Sequence, residues 1–359
     1  MNKICMVDLS LSENLKKIPI NIRFKIIKEL RYCNKYPKYD SIQLYEKISL
    51  INKVDKSNIF ITNGSDEAIE IIYYLFASTC NEHNNIIVTN NSYNGYEYAS
   101  KLFNINVIKS NIHILDNKYY ETDIIEKINN GTKCVFISNP HNPYGKIMKP
   151  SEIIRILDFT CNHNIIVVID EAYFDFIDVE YKSAVSFIKT YSNLIVLKSF
   201  SKSYCMAGLR IGYIISHENT IKKLYQLIGK VIPFNVNRLA IKCATLSLEH
   251  NNTFIHYCKK SNNIKYKTYL LLDRYNYEYI KTQTNFILIN LHVDVSSICL
   301  ILEQKYNIKV KDGVIFSLPT YIRIGIGKYN DMKKLINTLN TINEIYNGVF
   351  NGKNINYLE

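Results

Sequence analysis

A lysine flanked by hydroxyls, with an arginine eight positions on, is the part of this chain best suited to covalent chemistry. Lys202 follows Ser199 and Ser201, precedes Ser203, and is joined to Arg210 by a stretch that includes Gly208. Hydroxyls and a guanidinium are the donors a phosphate dianion takes, and a lysine among them is free to form an imine with a carbonyl. A surface lysine is the ordinary reading of any single Lys. Three other polar clusters raise the functional one: residues 62–66 with Ser65 and Asp66, residues 138–145 with Asn142, and residues 170–173 with Asp170 and Tyr173.

Each cluster ends a short apolar run. The runs are residues 59–61, 134–137, 165–169 and 194–197. Apolar runs of this length read as parallel strands buried on both faces. Ligands of open α/β sheets bind beyond the carboxyl ends of such strands. An Asn, an Asp, a Tyr, two Ser and a Lys then face one pocket, a set able to hold a phosphorylated cofactor and attack a carbonyl. After Asp66, residues Ile69, Ile72, Tyr73 and Phe76 follow the i, i+3, i+4, i+7 spacing of a helix with one buried face, and Ser65 or Asp66 can cap its start.

The 359 residues are 47% hydrophobic, enough for a sizeable core and, as a prior, two domains. Strand and helix signals alternate from residue 58 to about 215. Residues 221–279 are mostly helical in pattern and serve as a hinge element. Strand-like runs follow at 286–289, 314–316 and 321–326, which points to a smaller α+β domain. No apolar stretch is long enough to span a bilayer, and the start has no signal-peptide pattern. Nine scattered cysteines without a Cys-x-x-Cys pair fit a reducing cytoplasm and argue against a metal ribbon or a disulfide framework. The net charge of +12 is dispersed, apart from a local excess of seven cations in residues 16–56, where eleven Lys/Arg face four acids. With no basic-aromatic stripe, a nucleic-acid partner is not expected.

The motifs resemble those of fold-type I pyridoxal-phosphate enzymes, the class I and II aminotransferases. Ser199-Phe200-Ser201-Lys202 followed by Gly208-Leu209-Arg210-Ile211-Gly212 is similar to that family's lysine motif. Asn142-Pro143-Tyr144-Gly145, Asp170-Glu171-Ala172-Tyr173 and Asn63-Gly64-Ser65-Asp66-Glu67 resemble three further signatures, in the same order. Within the family the likeness is nearest to the histidinol-phosphate type. It lies in Lys35-Tyr36-Pro37, Ser12-Glu13-Asn14 and the Tyr321-x-Arg323-x-x-x-Gly327 strand. The resemblance implies a large domain (36–245) with a mostly parallel seven-stranded sheet flanked by helices, a small α+β domain (246–359), and an arm (1–35) for the small domain and a dimer contact.

The resemblance also implies roles. Lys202 holds pyridoxal 5′-phosphate and shuttles a proton. Asp170 partners the pyridine nitrogen, against a plain reading as a cap or core ion pair. Asn142 and Tyr173 bond the phenolic oxygen, against readings as a turn residue and a core aromatic. Tyr93 stacks on the ring, with Tyr96 and Tyr98 as rivals among 29 tyrosines. Ser65 and Asp66 amides, Ser199, Ser201 and Arg210 take the phosphate, joined by Tyr36 from the partner of a homodimer with composite sites. Arg323 clamps the substrate carboxylate, although period two alone would let it lie exposed. Asn14 and Lys311 complete the substrate site. The expected reaction passes an amino group between a phosphorylated amine and 2-oxoglutarate, with a phospho-amino-acid decarboxylase or another phospho-amine transaminase as the rival. Three departures bear on the substrate. Lys35 and Lys311 stand where the family usually has arginine, and Leu15 follows Asn14 where it usually has proline.

Overall fold

The computed structural model of the chain describes residues 6–14, 16–37, 40–77, 84–113, 118–119, 121–229, 232–345, 348 and 350. Residues 1–5, Leu15, Lys38 and residues 351–359, which entered the sequence reading, lie outside them. The first elements are β1 (Val7–Asp8), α1 (Ile20–Glu29), α2 (Asp40–Asn52), β2 (Ile59–Thr62) and α3 (Gly64–Ala77). Next come β3 (Asn85–Thr89), α4 (Gly95–Leu102), β4 (Asn106–Ser110), β5 (Thr132–Ser138), α5 (Pro150–Cys161), β6 (Ile166–Asp170), β7 (Leu194–Ser199) and β8 (Gly212–Ser216).

Strands β2 to β8 form one sheet in the order β2-β8-β7-β6-β5-β3-β4. It is parallel except for β8, which runs antiparallel to both of its neighbours. The apolar runs are continuous because both faces are covered. On β5, Val135 and Ile137 enter one core while Cys134 and Phe136 enter the other; on β7, Leu194 and Val196 alternate with Ile195 and Leu197 in the same way. The parallel strands therefore end on one side, and their last residues share it.

Helices α6 (Arg238–Glu249) and α7 (Asn251–Arg274) lead away from this sheet. The long α7 has Phe254 in the core of the large sheet and Leu272 in a second core. Beyond it lie β9 (Glu278–Ile280), β10 (Phe286–Asn290), α8 (Ser296–Tyr306), β11 (Ile308–Lys309), β12 (Lys311–Asp312), β13 (Tyr321–Gly325) and α9 (Tyr329–Ile345). These make an antiparallel sheet in the order β9-β10-β13-β12, while β1 pairs in parallel with β11. Leu9 packs in this second core beside Ile287 and Ile324, so the N-terminal segment is part of the smaller unit. Among the described residues no helix is long and apolar enough to cross a membrane.

Two local expectations are corrected. Residues 314–316 do not form a strand. Asp312 accepts the Val314 amide at 2.8 Å and starts a 3₁₀ turn, Gly313–Phe316, that exposes Val314 and Ile315 and buries Phe316. Ile315 and Phe316 build a cavity wall rather than a sheet. Nor does Ser65 or Asp66 cap α3: the helix begins at Gly64, with Glu67 accepting the Asn63 amide, which leaves the Asp66 carboxylate for other contacts.

Candidate active site

The ends of β2 and β7 and the turn before β8 make a seat for an anion. The first turn of α3 offers the amides of Ser65 and Asp66 at the positive end of a helix. Ser199 and Ser201 stand beside it, with the Ser199 hydroxyl accepting the Ser201 amide at 3.1 Å. Arg210 takes a left-handed backbone (φ 51°), and its Nη2 donates to Asp66 Oδ2 at 2.9 Å. Gly64 allows this approach, since a Cβ there would lie 2.7 Å from Nη2. An anion in this seat would share that guanidinium with Asp66.

At the far end stands Asp170, the last residue of β6. Its carboxylate is buried with no lysine or arginine against it among the described residues. Oδ1 accepts the Ala172 amide at 3.0 Å and Oδ2 accepts the Tyr96 hydroxyl at 2.8 Å. Burial nevertheless lifts its pKa to about 6, outweighing both hydrogen bonds. A carboxylate so placed is short of one cationic partner. The same contact sorts the three tyrosines. Tyr96 is fully buried beneath the site and is tied to Asp170, and Tyr98 is exposed. Tyr93 lies over the cavity and donates to Asp66 Oδ1 at 2.7 Å. Gly95 makes room for it, because a Cβ there would fall 2.3 Å from the Tyr93 ring.

Between the two ends, Lys202 lies 5.8 Å from the centre of the Tyr173 ring and donates to Leu11 O at 3.0 Å. Asn142 accepts from Arg323 Nη1 at 2.7 Å, so its amide N–H groups remain as donors. The Asn142 backbone amide is held by the Ser138 hydroxyl at 3.3 Å. Arg323 is 5% exposed rather than on an open face. Its guanidinium sits 5.1 Å from the rings of both Phe286 and Phe316 and donates to Ser10 O at 3.0 Å, while its Nε has no partner. Burial lowers its pKa, but an arginine keeps its charge.

These side chains line two adjoining cavities. The inner one, about 130 Å³, is walled by Ser65, Asp66, Tyr93, Asn142, Asp170, Tyr173, Ser199, Ser201, Lys202 and Arg210, all read from the sequence, and by Ser138. The outer one, about 470 Å³, adds Lys311 and Arg323, which face each other in register on β12 and β13. Two expected residues lie apart. Asn14 reaches Ser203 O at 3.4 Å and lines neither cavity, whereas its neighbour Glu13 lines the outer one. Tyr36 is 76% exposed and stacks on Phe234 at 5.0 Å. Tyr96, Ser138 and Glu13 were missed as site residues. Tyr96, Ala99 and Phe103 recur at i, i+3 and i+7, a stripe that would have set Tyr96 apart from Tyr98; Ser138 opens the polar cluster at the end of β5 and Glu13 stands in the Ser12-Glu13-Asn14 motif, but in each case a neighbour was chosen instead.

The donor set fits pyridoxal 5′-phosphate: an anion seat at one end, an uncompensated buried acid at the other for a ring N–H⁺, amide and phenol donors between, and an amine in reach. The profile of the class I and II aminotransferases matches residues 5–339. Histidinol-phosphate aminotransferase from Bacillus pumilus is 30% identical over 337 residues, 93% of this chain and 89% of that protein. The histidinol-phosphate aminotransferase structure from Clostridium acetobutylicum superposes with a TM-score of 0.85 at 24% identity, covering 95% of this chain and 100% of that one. The Sinorhizobium meliloti enzyme, solved in complex with pyridoxal-5′-phosphate, gives 0.84 at 18% identity, over 95% and 92% of the two chains. L-threonine-O-3-phosphate decarboxylase from Porphyromonas gingivalis gives 0.80 at 24% identity, over 94% and 100%.

Proposed function

The chain belongs to the class I and II aminotransferases and works with pyridoxal 5′-phosphate, and we propose that it moves an amino group between a small phosphorylated amine, histidinol phosphate first, and the glutamate/2-oxoglutarate pair. The observation that carries the substrate class is the pairing of Lys311 with Arg323 in the outer cavity. Two cations, one with an unpartnered buried Nε, suit a dianion better than a single carboxylate.

When bound, pyridoxal 5′-phosphate supplies a carbon that condenses with amines and a ring that takes up the electrons left when a bond at Cα breaks. Lys202 would hold that carbon through its Nζ, and the same amine, once free, would serve as the base and acid that moves the substrate's Cα proton. Asp170 would lend its charge to the ring nitrogen, and that cation would favour the ionised carboxylate against the burial that lifts it. Asn142 Nδ2 and the Tyr173 hydroxyl would donate to the phenolic oxygen. Ser199, Ser201, Arg210 and the start of α3 would hold the phosphate, Tyr93 would cover the ring, and Arg323 would clamp the anionic end of either substrate.

Tyr36, exposed on its own subunit, reaches the phosphate of a partner, so the working form is a homodimer, and we place it in the cytoplasm. Mixing Lys202→Ala subunits with Tyr36→Glu subunits then restores part of the activity, and a fully active monomer on sizing overturns the dimer. The substrate test is direct. Candidate amines are added one at a time to purified enzyme with 2-oxoglutarate while the visible spectrum is followed. Turnover of histidinol phosphate supports the reading. Silence toward it, with CO₂ released from a phospho-amino acid, gives the decarboxylase reading instead, and the lysines at 35 and 311 then mark a changed substrate.

A further inference from the structure

Away from the active site, a cavity of about 590 Å³ opens between α7, the segment after β9 and the turn that follows Asn142. It shares no wall residue with the inner or outer cavity. Its ionic groups are unevenly satisfied. Asp273 accepts the Tyr279 hydroxyl at 2.9 Å. Asp178, just outside, takes the Tyr266 hydroxyl at 2.7 Å and the ammonium of buried Lys265 at 3.2 Å. Among the described residues half-buried Lys146 has no such partner: its Nζ donates to Lys281 O at 3.0 Å, and no described carboxylate stands within ion-pair distance. Burial lowers its pKa to about 8. An ammonium with unmet N–H groups beside a cavity is a site for an anion.

The walls say which anion. Tyr269 and Tyr279 stack at 4.9 Å, and Tyr266 meets Tyr269 edge-on at 5.9 Å. Leu270, 70% exposed, stands at the mouth. We propose that this cavity is a second binding site, separate from the catalytic one, for a small planar aromatic carboxylate whose ring lies on the tyrosine wall and whose carboxylate meets Lys146. Aromatic faces add contact that inorganic phosphate cannot use. The site also touches the seam between the two sheets. Gln283 N donates to Gly145 O at 2.7 Å, and a Cβ on Gly145 would lie 1.7 Å from Thr282 Oγ1. A ligand there braces the turn that carries Asn142 against the smaller unit.

The test uses holoenzyme whose cofactor has been fixed to the protein by borohydride reduction, with saturating 2-oxoglutarate to occupy Lys311 and Arg323 in the outer cavity; loss of the visible band reports the reduction independently of the titration. 4-Hydroxybenzoate is titrated by calorimetry, with 4-hydroxybenzamide and inorganic phosphate as comparisons. Saturable binding of one 4-hydroxybenzoate per chain is expected, with both comparisons at least tenfold weaker. Lys146→Met lowers the affinity roughly tenfold or more, the loss of one charged hydrogen bond, and Lys146→Arg keeps it within a few-fold. Leu270→Glu, at an exposed position the fold does not need, sets a like charge at the mouth and abolishes binding. The proposal is overturned by absence of saturable binding at millimolar concentration, by equal binding of the amide or of phosphate, or by unchanged affinity in Lys146→Met. If that variant does not fold, unchanged affinity in Leu270→Glu overturns it.

Discussion

The inner and outer cavities meet at Lys202, yet they are built by opposite means. The inner one is walled chiefly by the ends of neighbouring strands of one sheet, and its polar groups hold each other in place: Asp170 by Tyr96 and Ala172, Arg210 by Asp66, Ser201 by Ser199. The outer one is assembled from the N-terminal segment, the loop before α4, the 3₁₀ turn at 313–316 and strands β12 and β13. Asn94 reaches across the gap to Ile315 O at 3.2 Å, and Arg323 spans it to Asn142. A cofactor seat gains from groups fixed before the ligand arrives. A substrate seat made of separate stretches can change one stretch without disturbing the rest, and that is where the lysine at 311 falls.

If this division holds, substitutions of the inner set strike all substrates alike and those of the outer set discriminate. The largest effect is expected for Lys202→Ala. It should bind the cofactor without a covalent bond and lose turnover by several orders of magnitude, since the nucleophile and the proton carrier vanish together. Peptide mapping after borohydride treatment should find the wild-type label on Lys202, and a label elsewhere would refute its role.

Asp170→Asn comes next, with turnover down by roughly 10²- to 10³-fold, as for loss of a preorganised charge. The amide fits the same space: Oδ1 still accepts from Ala172, while the bond to Tyr96 reverses, Nδ2 donating to the hydroxyl oxygen. In protein stripped of cofactor the effect on stability has the opposite sign. The folded carboxyl, at about 6, lies above its ordinary value of 3.8. Between those pH values the folded state keeps a proton that the unfolded chain releases, so wild-type stability falls as pH rises through the window, by something on the order of 3 kcal/mol. The amide buries no charge. Cofactor-free Asp170→Asn should therefore melt above wild type at pH 8 and lose that advantage near pH 3.5. A lower melting temperature at both pH values would make Asp170 a structural residue.

On the outer side, Lys311→Ala should raise KM for the phosphorylated amine and lower its kcat/KM by about ten- to a hundredfold, the value of one charged hydrogen bond of ~1.5–3 kcal/mol. The glutamate half-reaction should barely change. Equal losses in both halves would erase the distinction between the cavities. The smallest effect is expected for Asn14→Ala, within about twofold, because its contact with Ser203 O is long and it lines neither cavity. A loss as large as that of Lys311→Ala would bring Asn14 itself onto the substrate.

The apolar runs and the polar residues that end them were legible without coordinates. A buried strand must be apolar on both faces, and covalent continuity then puts its next one or two residues at the sheet edge; the places of Ser138, Asp170 and Ser199 follow from that alone, while Lys202, three residues past the end of β7, was singled out by the hydroxyls and the arginine around it. Local patterning said nothing dependable where the partner lies far along the chain. Period two could not tell whether Arg323 was exposed, because the answer depends on Phe316 and Asn142 arriving from elsewhere. It could not foresee that residues 314–316 would turn, because Gly313 lies so close to Tyr321 that a Cβ would meet its carbonyl oxygen at 2.2 Å. Nor could it choose Glu13 over Asn14. Hydrophobic period and chain connectivity were enough for the strands and the chemistry at their ends. Which cations face the substrate was settled by the packing of the two units against each other, which brings β12 and β13 over the end of the large sheet.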